Sequence, residues 1–114
     1  MISYVEDDDN IRDLVIYTLN STGLPARGYD SGKSFRESLK TEKPDLILLD
    51  IMLSGEDGIA LLKSLRADPE TAGIPIIMAT ARGSEYDKVR ALDLGADDYI
   101  TKPFSSGYLR ARIS

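Results

Sequence analysis

Five side chains that could handle a phosphoryl group each follow a short apolar run of the sequence. They are Glu6, Asp7, Asp50, Thr80 and Lys102. Asp50 comes directly after four aliphatic residues, where a residue that only turned the chain would more often be Asn, Ser or Gly. Three carboxylates, a hydroxyl and an ammonium group are the groups needed to bind a divalent cation and to accept a phosphoryl group on a carboxylate.

A cation is expected because clustered carboxylates repel one another. Two carboxylates about 4 Å apart repel by about 4 kcal/mol at an effective dielectric constant near 20. The chain has no His and no Cys, so oxygen atoms would be the ligands. Oxygen ligands favour a hard cation, and Mg²⁺ is favoured over Ca²⁺ because no segment resembles an EF-hand loop. In such a site Lys102 would neutralise charge on the transferring group, and Thr80 could donate a hydrogen bond to it.

Composition narrows the class of protein. A chain of 114 residues, 42% apolar and 29% charged, predicts one globular domain over 1–114. The absence of His and Cys excludes Ser-His and Cys-His catalysis, disulfides and the common zinc sites. A net charge of −5 disfavours nucleic-acid binding by this chain alone. No apolar run reaches the roughly 20 residues that span a bilayer, and no signal peptide is recognisable, so we expect a cytoplasmic protein without a membrane segment.

Short apolar runs alternate with amphipathic stretches, which predicts strand and helix in alternation. The predicted strands are 2–5, 25–29, 46–49, 74–79 and 98–101, the second being an edge strand because it contains Pro and Gly. The predicted helices begin near Asn10, after Ser31-Gly32, at Gly58, at Ser84 and at Ser105, the last cut short by the chain end. This order predicts an α/β fold, a doubly wound parallel sheet with helices on both faces. Ligands of such sheets bind at the carboxyl ends of the strands, where all five candidate side chains lie.

The chain resembles, over essentially its whole length, the receiver domain of bacterial two-component response regulators. The matching segments are 5–8, 44–52, 77–81 and 95–104. The resemblance implies a flavodoxin-like five-stranded sheet of order 2-1-3-4-5. It implies that Asp50 accepts a phosphoryl group from a sensor histidine kinase, with Thr80 and Lys102 contacting that group. It also implies a Mg²⁺ site made by Glu6, Asp7, Asp50 and the backbone carbonyl of Met52.

The resemblance further implies a switch. Thr80 would move toward the phosphoryl group and Tyr99 would turn inward, which changes the face made by the fourth helix, the fifth strand and the last helix; the alternative for Tyr99 is a half-buried strand tyrosine. The segment 95–99 is most similar to receivers attached to winged-helix DNA-binding domains. In that subclass this face forms a homodimer, with charge pairs at positions matching Lys88, Asp98 and Arg112.

Other functional classes fit these residues less well. Haloacid-dehalogenase-like phosphatases need a second acid two residues after the nucleophile, where this chain has Met52, so we expect no turnover of external substrates. A nucleotide-binding flavodoxin-like protein would need glycines and hydroxyls after the first strand, where this chain has four acidic residues. An interaction domain with a vestigial pocket is disfavoured because all five site residues are present. A stand-alone receiver or phosphorelay protein remains the alternative to a regulator with a DNA-binding output domain.

Overall fold

The computed structural model of the chain describes residues 1–53, 56–81, 89, 92–102, 107 and 111, with the backbone alone at positions 52, 56, 80, 81 and 102. The strands are β1 (Ile2–Val5), β2 (Ala26–Tyr29), β3 (Leu46–Asp50), β4 (Met52–Leu53), β5 (Glu56–Asp57), β6 (Ile76–Ala81) and β7 (Asp98–Lys102). The helices with described bounds are α1 (Asp9–Ser21), α2 (Gly32–Ser38) and α3 (Gly58–Ala67).

Five strands form one parallel sheet in the order β2-β1-β3-β6-β7. Because β4 and β5 lie outside this sheet, β6 and β7 are its fourth and fifth strands, and the order is the predicted 2-1-3-4-5. The flavodoxin-like doubly wound fold is therefore confirmed. β3 lies at the centre and is buried at all five positions, as expected for an aliphatic run covered on both faces. β2 lies at the edge, as Pro25 and Gly28 of the predicted strand 25–29 indicated.

The strands direct alternate side chains to opposite faces of the sheet, which gives two apolar clusters. One cluster contains Val5, Ile47, Leu49, Ile76 and Met78, packed with side chains of α2 and α3. The other contains Ile2, Tyr4, Leu46, Leu48, Ile77, Ala79 and Ile100, packed with Leu19 of α1. Both faces are therefore covered by apolar contacts, and the strand ends are left to carry the polar residues.

Side chains preceding the helices satisfy their first amide groups. Asp8 caps α1 by accepting a hydrogen bond from the Ile11 amide at 3.0 Å. Ser31 caps α2, and Asp57 caps α3 by accepting from the Ile59 amide at 2.8 Å. The acidic run 6–9 therefore divides between the site, which has Glu6 and Asp7, and the start of α1, which Asp8 caps.

The main departures from the predicted elements are an unpredicted pair of short strands and a shift of β6 by two residues along the chain. β4 and β5 pair antiparallel, with Met52 opposite Asp57, where no strand was predicted. β6 begins at Ile76 instead of Ile74, because the Ile74 carbonyl accepts from Arg66 and Pro75 has no amide hydrogen.

Parts of the last two predicted helices are described. Residues 89, 92 and 93 are helical, as are 107 and 111, and the rest of 84–94 and of the segment from Ser105 lies outside the described residues. Within the described part of the chain, no helix combines the length and apolar character needed to cross a bilayer.

Candidate functional site

Three of the predicted side chains meet at the carboxyl end of the sheet. Val5 of β1 and Leu49 of β3 are partners in register, so Glu6 and Asp50, which follow them, emerge side by side. Glu6 and Asp50 are buried, with exposed fractions of 1% and 2%, and Asp7 is half-buried. One carboxylate oxygen of each lies within 4.8 Å of those of the other two. The clustering of these acids, which the sequence predicted, is present.

The electrostatics of this cluster favour a cation. At 4.8 Å two carboxylates repel by about 3.5 kcal/mol at an effective dielectric constant near 20, and three carboxylates make three such pairs. The donor atoms are all oxygens, and two of the three acids are shielded from water. Hard oxygen donors at this density fit Mg²⁺, which binds few carboxylates and keeps several waters. The three acids therefore fit the cation predicted from the sequence.

Hydrogen bonds from neighbouring residues hold Glu6 in place. The Tyr4 hydroxyl donates to Glu6 Oε1 at 3.2 Å, and the Asp8 amide donates to Glu6 Oε2 at 3.4 Å. The Glu6 backbone carbonyl accepts from Arg12 Nη1 at 2.9 Å, while Arg12 Nη2 donates to Asp9 at 2.5 Å. Both the carboxylate and the backbone of Glu6 are therefore fixed by neighbours.

Tyr4 is the buried tyrosine beneath the acids. Desolvation raises the pKa of Tyr4 well above its ordinary value, and the negative charges of Glu6 and Asp50 raise that pKa further. Its hydroxyl consequently keeps its proton and remains a donor to Glu6. The sequence prediction treated 2–5 as an apolar strand and missed Tyr4, although side chains two residues apart on a strand share a face.

The chain that follows Asp50 is held by close backbone packing. The Ile51 amide donates to the Ala79 carbonyl at 3.2 Å, which joins this segment to β6. The Gly58 amide donates to the Ile51 carbonyl at 2.8 Å, which brings the start of α3 against the residues around Asp50. A Cβ on Gly58 would overlap the Asp50 carbonyl oxygen and lie 2.8 Å from the Ile51 Cα. Gly58 was predicted only as a helix start, and its packing role was missed.

The backbone brings the other two predicted site residues to the same edge of the sheet. Asp50 is the register partner of Ala79, which Thr80 follows, and Lys102 is the partner of Ala81. The strand ends carrying all five candidates are thus adjacent. Phosphoryl contact by Thr80 and Lys102 stays a prediction, as does metal ligation by the Met52 carbonyl.

Residues assigned to the switch and the dimer are described in part. Tyr99 is half-buried and packs against the cluster on the α2 and α3 side of the sheet. Asp98 is half-buried, and its carboxylate accepts from the Tyr99 amide at 2.8 Å. Lys88 and Arg112, the other predicted dimer residues, lie outside the described residues.

Comparison with known proteins identifies relatives of the whole chain. Residues 2–114 match the family described as response regulator receiver domain. The chain is 49% identical over 115 residues to the phosphate regulon transcriptional regulatory protein PhoB of Escherichia coli K12, a match that covers 98% of this chain and 49% of PhoB. It is 45% identical over 112 residues to the transcriptional regulatory protein GltR of Pseudomonas aeruginosa, covering 98% of this chain and 46% of GltR. The chain spans about half the length of these curated relatives.

A solved structure agrees with the fold. The BeF₃-activated N-terminal receiver domain of Klebsiella pneumoniae RstA superposes with a TM-score of 0.88 at 36% identity. That superposition covers 98% of this chain and 93% of the RstA chain.

Proposed function

Since this chain belongs to the response regulator receiver domain family, we propose that it is the phosphorylation-controlled switch of a two-component system, with Asp50 as the phosphoacceptor. The observation that carries this proposal is the cluster of the buried Glu6 and Asp50 with the half-buried Asp7 at the carboxyl end of the sheet. Receiver domains are phosphorylated by histidine kinases and generally use Mg²⁺ at an acidic pocket. The acids of this chain supply such a pocket.

Asp50 acts as the nucleophile. One of its carboxylate oxygens attacks the phosphorus of a phosphohistidine on the partner kinase, the phosphorus–nitrogen bond breaks, and the histidine nitrogen leaves with the electron pair of that bond. Glu6, Asp7, Asp50 and the Met52 carbonyl would hold Mg²⁺, which when bound neutralises charge on the phosphoryl oxygens. Lys102 adds a second cation for that charge. No general base is required, since the nucleophile is a carboxylate.

The phosphoryl group then changes the surface of the domain. It adds about −1.5 to −2 charges and three acceptor oxygens next to Thr80 and Lys102. Thr80 moves toward these oxygens, and Tyr99 turns into the space that Thr80 leaves. The face made by the fourth helix, β7 and the last helix thereby shifts toward its active arrangement, in which Lys88, Asp98 and Arg112 pair with a second copy.

The output is transcriptional. PhoB and GltR carry the names of transcriptional regulatory proteins and are about twice as long as this chain. We therefore assign the DNA-binding output to a separate domain, because this chain carries a net charge of −5. The domain turns over no external substrate, because Met52 occupies the position of the second acid of a phosphatase. The domain acts in the cytoplasm, where its kinase and the DNA are.

Phosphoryl uptake from acetyl phosphate tests this function. The chain is incubated with acetyl phosphate and Mg²⁺, and the intact mass is measured with and without a chelator. We expect one phosphoryl group on the wild-type chain, none on Asp50→Asn and none in the chelator. Asp45→Asn is the matched control, because Asp45 lies exposed at the other end of β3 with 86% of its side chain accessible; it should be phosphorylated like the wild type.

Two outcomes would overturn the proposal. One is undiminished uptake by Asp50→Asn, and the other is equal uptake in the presence and absence of the chelator. Circular dichroism of each variant establishes that the fold is retained before its uptake is compared.

A further inference from the structure

Tyr4 lies fully buried directly below the acidic cluster. Its exposed fraction is 0%, and its ring belongs to the apolar cluster that contains Leu19, Leu48 and Ile100. A phenylalanine would fill this apolar volume equally well, because the ring and not the hydroxyl makes the apolar contacts. The hydroxyl makes a separate, polar contact inside the protein, where it donates to Glu6 Oε1 at 3.2 Å.

Glu6 receives donors from two directions. Tyr4 donates to Oε1 from the strand side, and the Asp8 amide donates to Oε2 at 3.4 Å from the start of α1. Donors on both oxygens restrict the rotation of a carboxylate about its terminal bond. Arg12 Nη1 donates to the Glu6 backbone carbonyl at 2.9 Å, which fixes the backbone from which the side chain extends.

We propose that Tyr4 is a positioning residue for the divalent cation site, acting by holding the Glu6 carboxylate in the orientation in which it faces Asp7 and Asp50. This proposal rests on the proposed function, because it takes the three acids to be the Mg²⁺ site. Glu6 is 1% exposed, so bulk water contributes little to its orientation. Removing a group that hydrogen-bonds to a metal ligand and orients it typically lowers metal affinity by about 10-fold to 100-fold.

The direction of the effect follows from preorganisation. The hydroxyl on Oε1 is one of the restraints on the Glu6 carboxylate. Its removal loosens the carboxylate, and the cation must then order it on binding. Tyr4→Phe should therefore weaken Mg²⁺ binding. A purely structural role of Tyr4 would lower the stability of the fold and leave the affinity of the folded protein for Mg²⁺ unchanged.

Mg²⁺ titration of the complete chain tests this role. The dissociation constant is measured by calorimetry for the wild type, Tyr4→Phe and the control Tyr17→Phe, whose ring is 72% exposed. We expect Tyr4→Phe to raise the dissociation constant about 10-fold and Tyr17→Phe to leave it within about twofold. An unchanged or lower dissociation constant for Tyr4→Phe overturns the positioning role and leaves the proposed function standing.

A spectroscopic measurement on the wild type needs no substitution at Tyr4. The chain has six tyrosines and no tryptophan, so isotope-labelled tyrosine rings report separately in nuclear magnetic resonance spectra. We expect the Tyr4 ring signals to shift with Mg²⁺ at the same half-saturation as calorimetry, while those of Tyr17 stay in place. Tyr4 signals that do not respond while the wild type binds Mg²⁺ overturn the positioning role alone. A wild type that binds no Mg²⁺ overturns both proposals.

Discussion

The start of α3 and the end of β3 meet at Gly58 and Asp50, where the missing side chain of Gly58 makes room for the backbone carbonyl of Asp50. A Cβ on Gly58 would overlap that carbonyl oxygen and lie 2.9 Å from the carbonyl carbon. Backbone atoms on a central strand cannot move aside as the end of a flexible side chain can. The position of Asp50 in the acidic cluster therefore depends on a glycine that follows it closely along the chain.

Gly58→Ala should both destabilise the domain and disturb the site. Overpacking of this kind costs about 1 to 3 kcal/mol, and here the clash is with backbone atoms. We expect an unfolding free energy lower by about 2 kcal/mol in urea, together with weaker Mg²⁺ binding. Gly73→Ala is the control, because nothing lies within 4 Å of its Cβ position; it should be neutral or stabilising by about 0.4 to 1 kcal/mol. Equal stability of the two variants would contradict the packing role of Gly58.

The buried Tyr4 predicts how stability depends on alkaline pH. The folded-state pKa of Tyr4 is raised, above all by desolvation, so the folded protein retains a proton that the unfolded chain loses above about pH 10. The stability that depends on this proton is intact below about pH 10 and falls above it, by about 1.4 kcal/mol per pH unit. In urea titrations without divalent cation, the unfolding free energy of Tyr4→Phe should fall above pH 10 less steeply than that of the wild type, by about 1.4 kcal/mol per pH unit. Tyr17→Phe should keep the slope of the wild type. The same alkaline slope in Tyr4→Phe and the wild type would contradict this assignment of the pH dependence to Tyr4.

Charge removal at Asp50 should stabilise the cation-free protein. Asn at this position removes the repulsion between Asp50 and the two other acids, whose oxygens lie within 4.8 Å. We expect Asp50→Asn to unfold with a free energy higher by about 2 kcal/mol in chelator, a fraction of the pairwise repulsion. Mg²⁺ at about 100 times its dissociation constant should stabilise the wild type by about 2.7 kcal/mol and the variant much less. A variant less stable than the wild type in chelator would contradict the repulsion.

Arg66 joins the end of α3 to the segments that precede β6 and β7, at the end of the sheet opposite the acidic cluster. Its guanidinium donates to the Gly95 carbonyl at 2.7 Å, to the Ile74 carbonyl at 2.7 Å and to the Asp97 carboxylate at 2.7 Å. Because Lys cannot reproduce this planar set of donors, Arg66→Lys should lower the unfolding free energy by about 2 kcal/mol in urea.

The control for Arg66 is Arg27→Lys. Arg27 is 64% exposed and contacts Glu42 at 3.6 Å. Replacing Arg27 by Lys should therefore change the unfolding free energy by less than about 0.5 kcal/mol. Equal effects of the two substitutions would show that the contacts of Arg66 contribute nothing beyond those of an exposed arginine. Neither residue touches the acidic cluster, and both variants should bind Mg²⁺ like the wild type.

The sheet and most of the site could be predicted because both follow from local pattern. The aliphatic run before Asp50 specifies a central strand, and parallel strands deliver their carboxyl ends to one edge, so the meeting of Glu6 with Asp50 followed. The pairing of β4 with β5 could not be predicted, because strands of two residues carry no periodicity. The contact of Gly58 with Asp50 depends on where α3 packs against β3, which no local pattern encodes. The contact of Tyr4 with Glu6 could have been predicted, because side chains two residues apart along an extended segment point to the same side.

The residue that carries the phosphoryl group can be identified directly. After incubation with acetyl phosphate and Mg²⁺, borohydride reduces an aspartyl phosphate to homoserine, and peptide mass spectrometry locates the converted residue. Conversion should occur at Asp50 and nowhere else in the chain, and it should disappear when the cation is chelated. Conversion at Asp7 or Asp8 with Asp50 intact, or phosphate retained on a serine or threonine, would contradict Asp50 as the phosphoacceptor.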